Sequence, residues 1–265
     1  MLALETTATI LAASCAGLYL LATVMFVRRL RTSGIAVFIA AWLLNAAMVA
    51  FNWYACGQPP FGNMYHVLTV LPLCFLPAHL VLRWKDGLNL TPACFALISV
   101  IPLIGTLFME QDIAWRRMPA LQSPWFVPHV LAYMFSYSLA AVAFIIGIAG
   151  GVTRRGDRDD SARYSDAAWH TMRLAFPFMT FGLLSGALWA EEAWGVYWSW
   201  DIKETWSLIT WMLYAIYLHC RTRDTLRRFA TPAQVLGFLA LLTTFLLVNL
   251  LPKLSSALHS YAAVR

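Results

Sequence analysis

The chain has 265 residues, 60% of them hydrophobic and only 12% charged, with a formal net charge of +6. A mean hydropathy of +0.65 excludes an ordinary soluble domain, in which about a quarter of residues are charged, and predicts an integral membrane protein. The positive balance forms no basic stripe interleaved with stacking aromatics, so nucleic acid is not expected as a partner.

A bilayer core of about 30 Å takes roughly 20 apolar residues per helix, and windows of that kind fall at 6–27, 34–55, 64–82, 91–109, 126–150, 172–190, 204–220 and 232–251. The expected fold is therefore all-α, a polytopic integral membrane protein with about eight transmembrane helices in a single membrane domain over 1–265. The first window carries Glu5 and lacks a cationic lead, which favours a retained span over a cleaved signal peptide. Fourteen of the nineteen Lys and Arg residues fall on one set of alternate connections, so the positive-inside rule turns both termini outward.

Five cysteines, Cys15, Cys56, Cys74, Cys94 and Cys220, form no CxxC pair and read as small buried apolar residues. Of the connections, 153–171 is rich in mixed charge and reads as a solvated inner connector without chemistry. The outer segment before span five carries Trp115 and Trp125 and reads as an interfacial amphipathic piece.

Between spans six and seven stands "ALWAEEAWGVYWSWDIKETWSLITW", which holds Trp189, Trp194, Trp198, Trp200, Trp206 and Trp211, half of the chain's twelve tryptophans. An aromatic belt accounts for one or two tryptophans at a helix end. It does not account for six, nor for Asp201 and Lys203 placed among them. Asp201 followed by Glu204 predicts an acidic capping box at the start of span seven.

The six histidines sort by depth. His129 lies at the outer entry of span five, His259 beyond the outer exit of span eight and His66 at the outer entry of span three; His79 and His219 lie near inner ends, and His170 lies in the inner connector. His129 and His259 share a level with the tryptophan-rich loop, and two imidazoles beside flat aromatic walls suit six-coordinate haem iron. Interfacial anchoring or a helix–helix hydrogen bond is the competing reading for each histidine taken singly.

"WGVYWSWDIKETW" resembles the WWD signature of the haem-handling proteins of cytochrome c maturation. "FPFMTFGLLSGALWAEEAWG" before it, "LITWMLYAIYLHCR" after it, the upstream "PHVLAYMFSYSLAAVAF" and the downstream "LLPKLSSALHSYA" resemble the CcsA (ResC) family of system II. The likeness is detailed over 125–265, with the signature loop at about 189–206, and rests on topology alone over 1–110. The resemblance implies that His129 and His259 ligate haem beside the loop and that His219 ligates a second haem within the membrane. It implies that Trp194, Gly195, Tyr197, Trp198, Trp200, Asp201, Lys203, Glu204 and Trp206 form the haem-handling loop.

The implied function is moving haem to the outer face and presenting it for thioether attachment to the CxxCH segment of an apocytochrome c, a holocytochrome c synthase (haem lyase) activity. The implied cofactor is one or two haem b. The implied partners are a CcsB (ResB)-type membrane subunit, apocytochrome c and thiol-reducing proteins. The implied location is the cytoplasmic membrane, with the active side extracytoplasmic or, in a plastid, facing the thylakoid lumen. His66 stands where many members carry an acid and His79 lies in a span without an expected ligand; each is an alternative inner partner to His219, but a structural role is the preferred reading for both. Three other readings remain open: a haem chaperone that passes haem to a carrier without ligation, a regulatory membrane protein of tetrapyrrole metabolism, and a transporter. The last predicts broken helices with acids near mid-membrane, whereas the acids here cluster in loops.

Overall fold

The computed structural model describes residues 2–86, 92–109, 119–153 and 158–247, and among these there is no strand. The chain divides into two compact units, Met1–Arg117 and Met118–Arg265. Among the described residues, six stretches can cross a membrane by length and composition: Leu4–Val27, Arg31–Cys56, Met64–Trp84, Phe126–Gly151, Ser161–Trp194 and Asp224–Leu246; Pro92–Leu107 is a shorter apolar helix. The protein is thus an all-helical, multi-pass membrane protein.

The first unit contains α1 (Leu2–Val27), α2 (Arg31–Cys56), α3 (Met64–Val70), α4 (Phe75–Asp86) and α5 (Pro92–Leu107). Helix α1 packs on α2 and α5 through Ala8, Ala12, Cys15, Tyr19 and Ala22, all fully buried. Their alternating spacing of four and three residues keeps them on one helical face, and the small side chains let neighbouring backbones approach.

The window 64–82 falls within the candidate span Met64–Trp84, inside which a 3-10 turn at Leu71–Cys74 separates α3 from α4. Pro72 has no N–H and cannot continue the α-helical ladder. Exposed carbonyls are costly in an apolar setting, and α2 supplies donors: Trp42 Nε1 donates to Leu73 O at 2.9 Å and Asn45 Nδ2 to Thr69 O at 2.9 Å.

The second unit contains α6 (Phe126–Thr153), α7 (Arg158–Trp194), α8 (Ile202–Thr222) and α9 (Ala230–Leu242), and a π-helical turn at Thr243–Leu247 follows α9. Helices α6 and α7 form the most extensive pair, and α8 packs on both α7 and α9. The connector reading of 153–171 is corrected here: from Arg158 onward the segment is helical and continuous with the span. Arg221 of α8 anchors it, donating to Ser165 Oγ at 2.8 Å and to Asp166 Oδ1 at 2.6 Å. Further along the same pair, Trp211 Nε1 of α8 donates to Thr180 Oγ1 of α7 at 2.9 Å and its ring stacks on Phe176.

Candidate haem-handling site

Helix α6 begins at Phe126, which places His129 in its opening turns, with the His129 N–H donating to Trp125 O at 3.0 Å. The imidazole faces α7. Its Nδ1 lies 2.8 Å from Gly182 O, and a carbonyl oxygen can only accept, so Nδ1 carries the proton. In the neutral ring the lone pair is then on Nε2, the arrangement in which a backbone carbonyl orients a histidine for metal binding.

Trp189 of α7 stacks on the His129 ring, with centroids 5.8 Å apart and planes inclined by 24°. Phe126 and Trp194 each meet Trp189 in turn, at 5.6 Å and 6.1 Å. Tyr133, one turn below His129 on α6, meets it edge-on at 5.1 Å. Ser123, in the turn preceding α6, hydrogen-bonds the Glu192 carboxylate and also accepts the Trp125 N–H. The start of α6 is thereby tied to the last turns of α7.

The signature loop is shorter than the 189–206 read from the sequence. Residues up to Trp194 belong to α7 and those from Ile202 belong to α8, because the chain stops α7 at Gly195 with φ 76°. The Gly195 N–H donates to Glu191 O at 2.8 Å, a left-handed helix end that glycine takes without steric cost. Within the intervening loop Trp200 also has positive φ, at 58°. For a bulky residue this is strained backbone, and Trp200 as a whole is 68% exposed.

The capping box forms as expected. Asp201 accepts from Glu204 N at 2.7 Å, while Glu204 reaches back to the Asp201 N–H. Glu204 further accepts from Ser199 N at 2.7 Å and from Ser199 Oγ at 3.2 Å, so one carboxylate gathers three donors of the loop.

Two features of this loop suit an anionic, flat, apolar group. Trp198 Nε1 is buried and has no hydrogen-bond acceptor among the described residues, and an indole N–H can only donate. Lys203, in the first turn of α8 and outside the apolar stretch 204–220, has its pKa lowered from 10.5 to about 8 by burial, with Asp201 acting in the opposite direction. A carboxylate beside it recovers the lost solvation. The donor set fits a haem: a neutral imidazole with its lone pair on Nε2, aromatic faces, an orphaned indole donor and an ammonium for propionates.

His129, Trp189 and Trp194 are brought into one aromatic cluster, and Trp198 meets Trp200 edge-on at 5.8 Å. Tyr197 is exposed and Trp206 half-buried on α8. His259 lies outside the described residues. His219 is exposed in the last turn of α8, at the end opposite Lys203. His66 and His79 both lie in the first unit and are buried; the ring nitrogens of His66 have no partner among its described residues. The sequence reading missed Gly182, Gly186, Tyr133 and the Ser123–Glu192 link. A small-residue spacing of four in "FGLLSGALWA" was the available signal for the glycines.

The family model described as cytochrome C assembly protein matches residues 61–255, reaching well upstream of 125–265, where the detailed resemblance lies. A CcsA cytochrome c biogenesis protein of Guillardia theta is 33% identical, covering 84% of this chain and 83% of its own length. One from Synechococcus elongatus is 32% identical, covering 87% and 86%. Among solved structures, the cytochrome c haem lyase CcmF resembles this chain with a TM-score of 0.63 at 19% identity, covering 94% of this chain but 45% of that one. At that identity the likeness speaks for the fold, whereas the family model and the relatives speak for descent: the chain belongs to the cytochrome c assembly protein family.

Proposed function

We propose that this protein is the haem-handling membrane subunit of cytochrome c maturation, which carries haem to the outer face of the membrane and presents it for attachment to apocytochrome c. The observation that carries the reading is the His129 imidazole, whose Nδ1 proton is committed to Gly182 O at 2.8 Å, beside an aromatic wall that includes Trp189. Family membership supports it.

In this reading haem is the substrate, b-type on arrival. His129 binds the iron through Nε2, with His259 as the second ligand. The loop tryptophans hold the porphyrin face, each ring contributing on the order of 1–3 kcal/mol of burial. Trp198 Nε1 and Lys203 take the propionates. Together these contacts leave the vinyl edge to the incoming chain, and positioning of this kind converts a random encounter into a directed one.

Each ligation adds a cysteine S–H across a vinyl C=C. Sulfur bonds one carbon, the thiol proton ends on the other, nothing leaves and no net electrons move. The cysteines must arrive as thiols, which is the task of thiol-reducing partners. A CcsB-type subunit supplies the second ligand for a haem held at His219, which makes the active unit a complex.

The test is a pyridine haemochrome spectrum with stoichiometry on purified protein, with and without the partner subunit, followed by reaction with a CxxCH peptide. Low-spin haem lost in His129→Ala and thioether product formed by the complex are expected. Haem that transfers to the peptide or a carrier without a thioether identifies a chaperone instead. An unchanged spectrum in His129→Ala removes the site assignment.

A further inference from the structure

His129 rests on a surface that α7 leaves open by lacking side chains at two successive turns. A Cβ placed on Gly186 would stand 2.6 Å from His129 Cε1 and 2.7 Å from Nδ1, and one on Gly182 would stand 3.0 Å from Cγ and Cδ2 of Tyr133. Real Cβ atoms do not approach side chains to 2.6 Å, so any residue larger than glycine at 186 displaces the imidazole.

The same stretch of α7 supplies the acceptor for the ring. Gly182 O holds Nδ1 at 2.8 Å, and Trp189 stacks on the imidazole at 24°. One face of α7 therefore sets the height, plane and tautomer of His129. Glycine pairs at this spacing also serve simple close packing of membrane helices, but packing alone does not require that the missing Cβ atoms lie against a histidine and the tyrosine one turn away.

We propose that Gly186 and Gly182 are positioning residues for His129: the absence of a side chain at 186 admits the imidazole to the Gly182 carbonyl, which fixes the proton on Nδ1 and presents Nε2 to iron. The proposal rests on His129 being a haem ligand, so its test has one arm without haem. Residues that orient a metal ligand typically change affinity 10–100-fold when altered, and a loss in the lower part of that range is expected here.

The haem-free arm is nitrogen NMR of 15N-histidine-labelled protein, with the His129 signals identified by their disappearance in His129→Ala. Wild-type protein should show the Nδ1–H tautomer, and Gly186→Ala should lose it. Gly151→Ala, whose Cβ would meet nothing within 4 Å, should retain it. An Nε2–H tautomer in wild type, or an unchanged Nδ1–H signal in Gly186→Ala, overturns the seat whatever His129 binds.

The haem arm is titration of purified protein with haem. Gly186→Ala should weaken low-spin haem binding about tenfold. In a His129→Gly background, added imidazole should restore the spectrum equally with and without the Gly186→Ala substitution, because a free ring can shift away from the methyl. Unequal rescue means that the glycine acts on the fold rather than on the ring, and overturns the proposal. Should Gly186→Ala not accumulate as a monodisperse species, the His129→Gly/Gly186→Ala double variant decides, because the three nearest atoms to a Cβ at 186 all belong to the His129 ring: it should accumulate like His129→Gly, and its failure to do so places the clash elsewhere in the fold and overturns the proposal. If His129→Ala keeps wild-type haem binding while the tautomer results hold, the seat stands and the ligand assignment falls.

Discussion

Glu204 accepts the Ser199 N–H at 2.7 Å while its own N–H is accepted by Asp201 at 2.7 Å. The two acids thus fasten the tryptophan loop and the start of α8 to each other, a role that needs no haem. Truncating an N-cap costs about 1 kcal/mol. Asp201→Ala should therefore lower the stability of purified protein by that amount in thermal unfolding. Asp201→Asn, which preserves the acceptor, should not. Any loss of haem binding in Asp201→Asn at unchanged Tm isolates an electrostatic role toward Lys203; if both variants behave alike in stability, the cap is not what Asp201 contributes.

The helical membrane fold was legible because composition and apolar run length are summed over the whole chain. The capping box was legible because it is written within four residues. What was not legible is non-local. The charged segment from Arg158 reads as a loop by itself, yet Arg221, 55 residues away from Asp166, holds its helix to α8. The break at Pro72 is tolerated because Trp42 and Asn45 of α2 reach the carbonyls beside it. His129 was legible as a candidate by depth, but its orientation depends on a carbonyl 53 residues away and on a side chain that glycine does not have. Absence of a group leaves a weak mark on a sequence.

Lys203 gives the site a pH dependence of defined sign. Burial holds it at about 8, below the usual lysine value of 10.5, so the folded protein disfavours the ammonium form. Its stability penalty is full below pH 8 and is relieved as pH rises from 8 toward 10.5, where the unfolded chain also loses its proton. Carboxylate binding runs the other way, since it requires the ammonium. Haem affinity should be flat below about pH 8 and fall by about tenfold per pH unit above it, until the raised pKa of the bound state is passed. Haem titrations at about pH 7 and about pH 9, on either side of that value, check this. Lys203→Arg should be flat across the range, because guanidinium does not discharge there, and Lys203→Met should be flat and weaker. A wild-type affinity that does not change between the two pH values removes Lys203 from propionate binding.

Trp200 carries two separable features, an indole ring on an exposed residue and a backbone at φ 58°. Trp200→Ala removes the ring and keeps the strain, whereas Trp200→Gly removes both. The left-handed conformation costs a non-glycine residue about 1–2 kcal/mol, partly offset by the greater freedom of unfolded glycine. Trp200→Gly should be roughly 0.5–1 kcal/mol more stable than Trp200→Ala, with haem binding equally reduced in both. If glycine restores binding that alanine loses, the conformation of the loop rather than the indole is what the site requires.

His219 and Lys203 stand at opposite ends of α8, and the sixteen residue steps from one to the other span about 24 Å of helix axis. One porphyrin cannot reach both. If His219 holds a haem on its way to the loop, the two sites fill in sequence. His219→Ala should then leave the His129 site empty in cells that must supply haem from within. The same variant, purified haem-free and given haem in detergent, should fill the His129 site with a normal low-spin spectrum, because its ligands and loop are intact. Occupancy of the His129 site in cells is read by haemochrome stoichiometry on the purified variant, with His129→Ala as the reference for a missing outer haem. Full occupancy in cells of the His219→Ala variant would show that haem reaches the loop by a route that bypasses α8's far end, and that His219 serves packing or a polar interface instead.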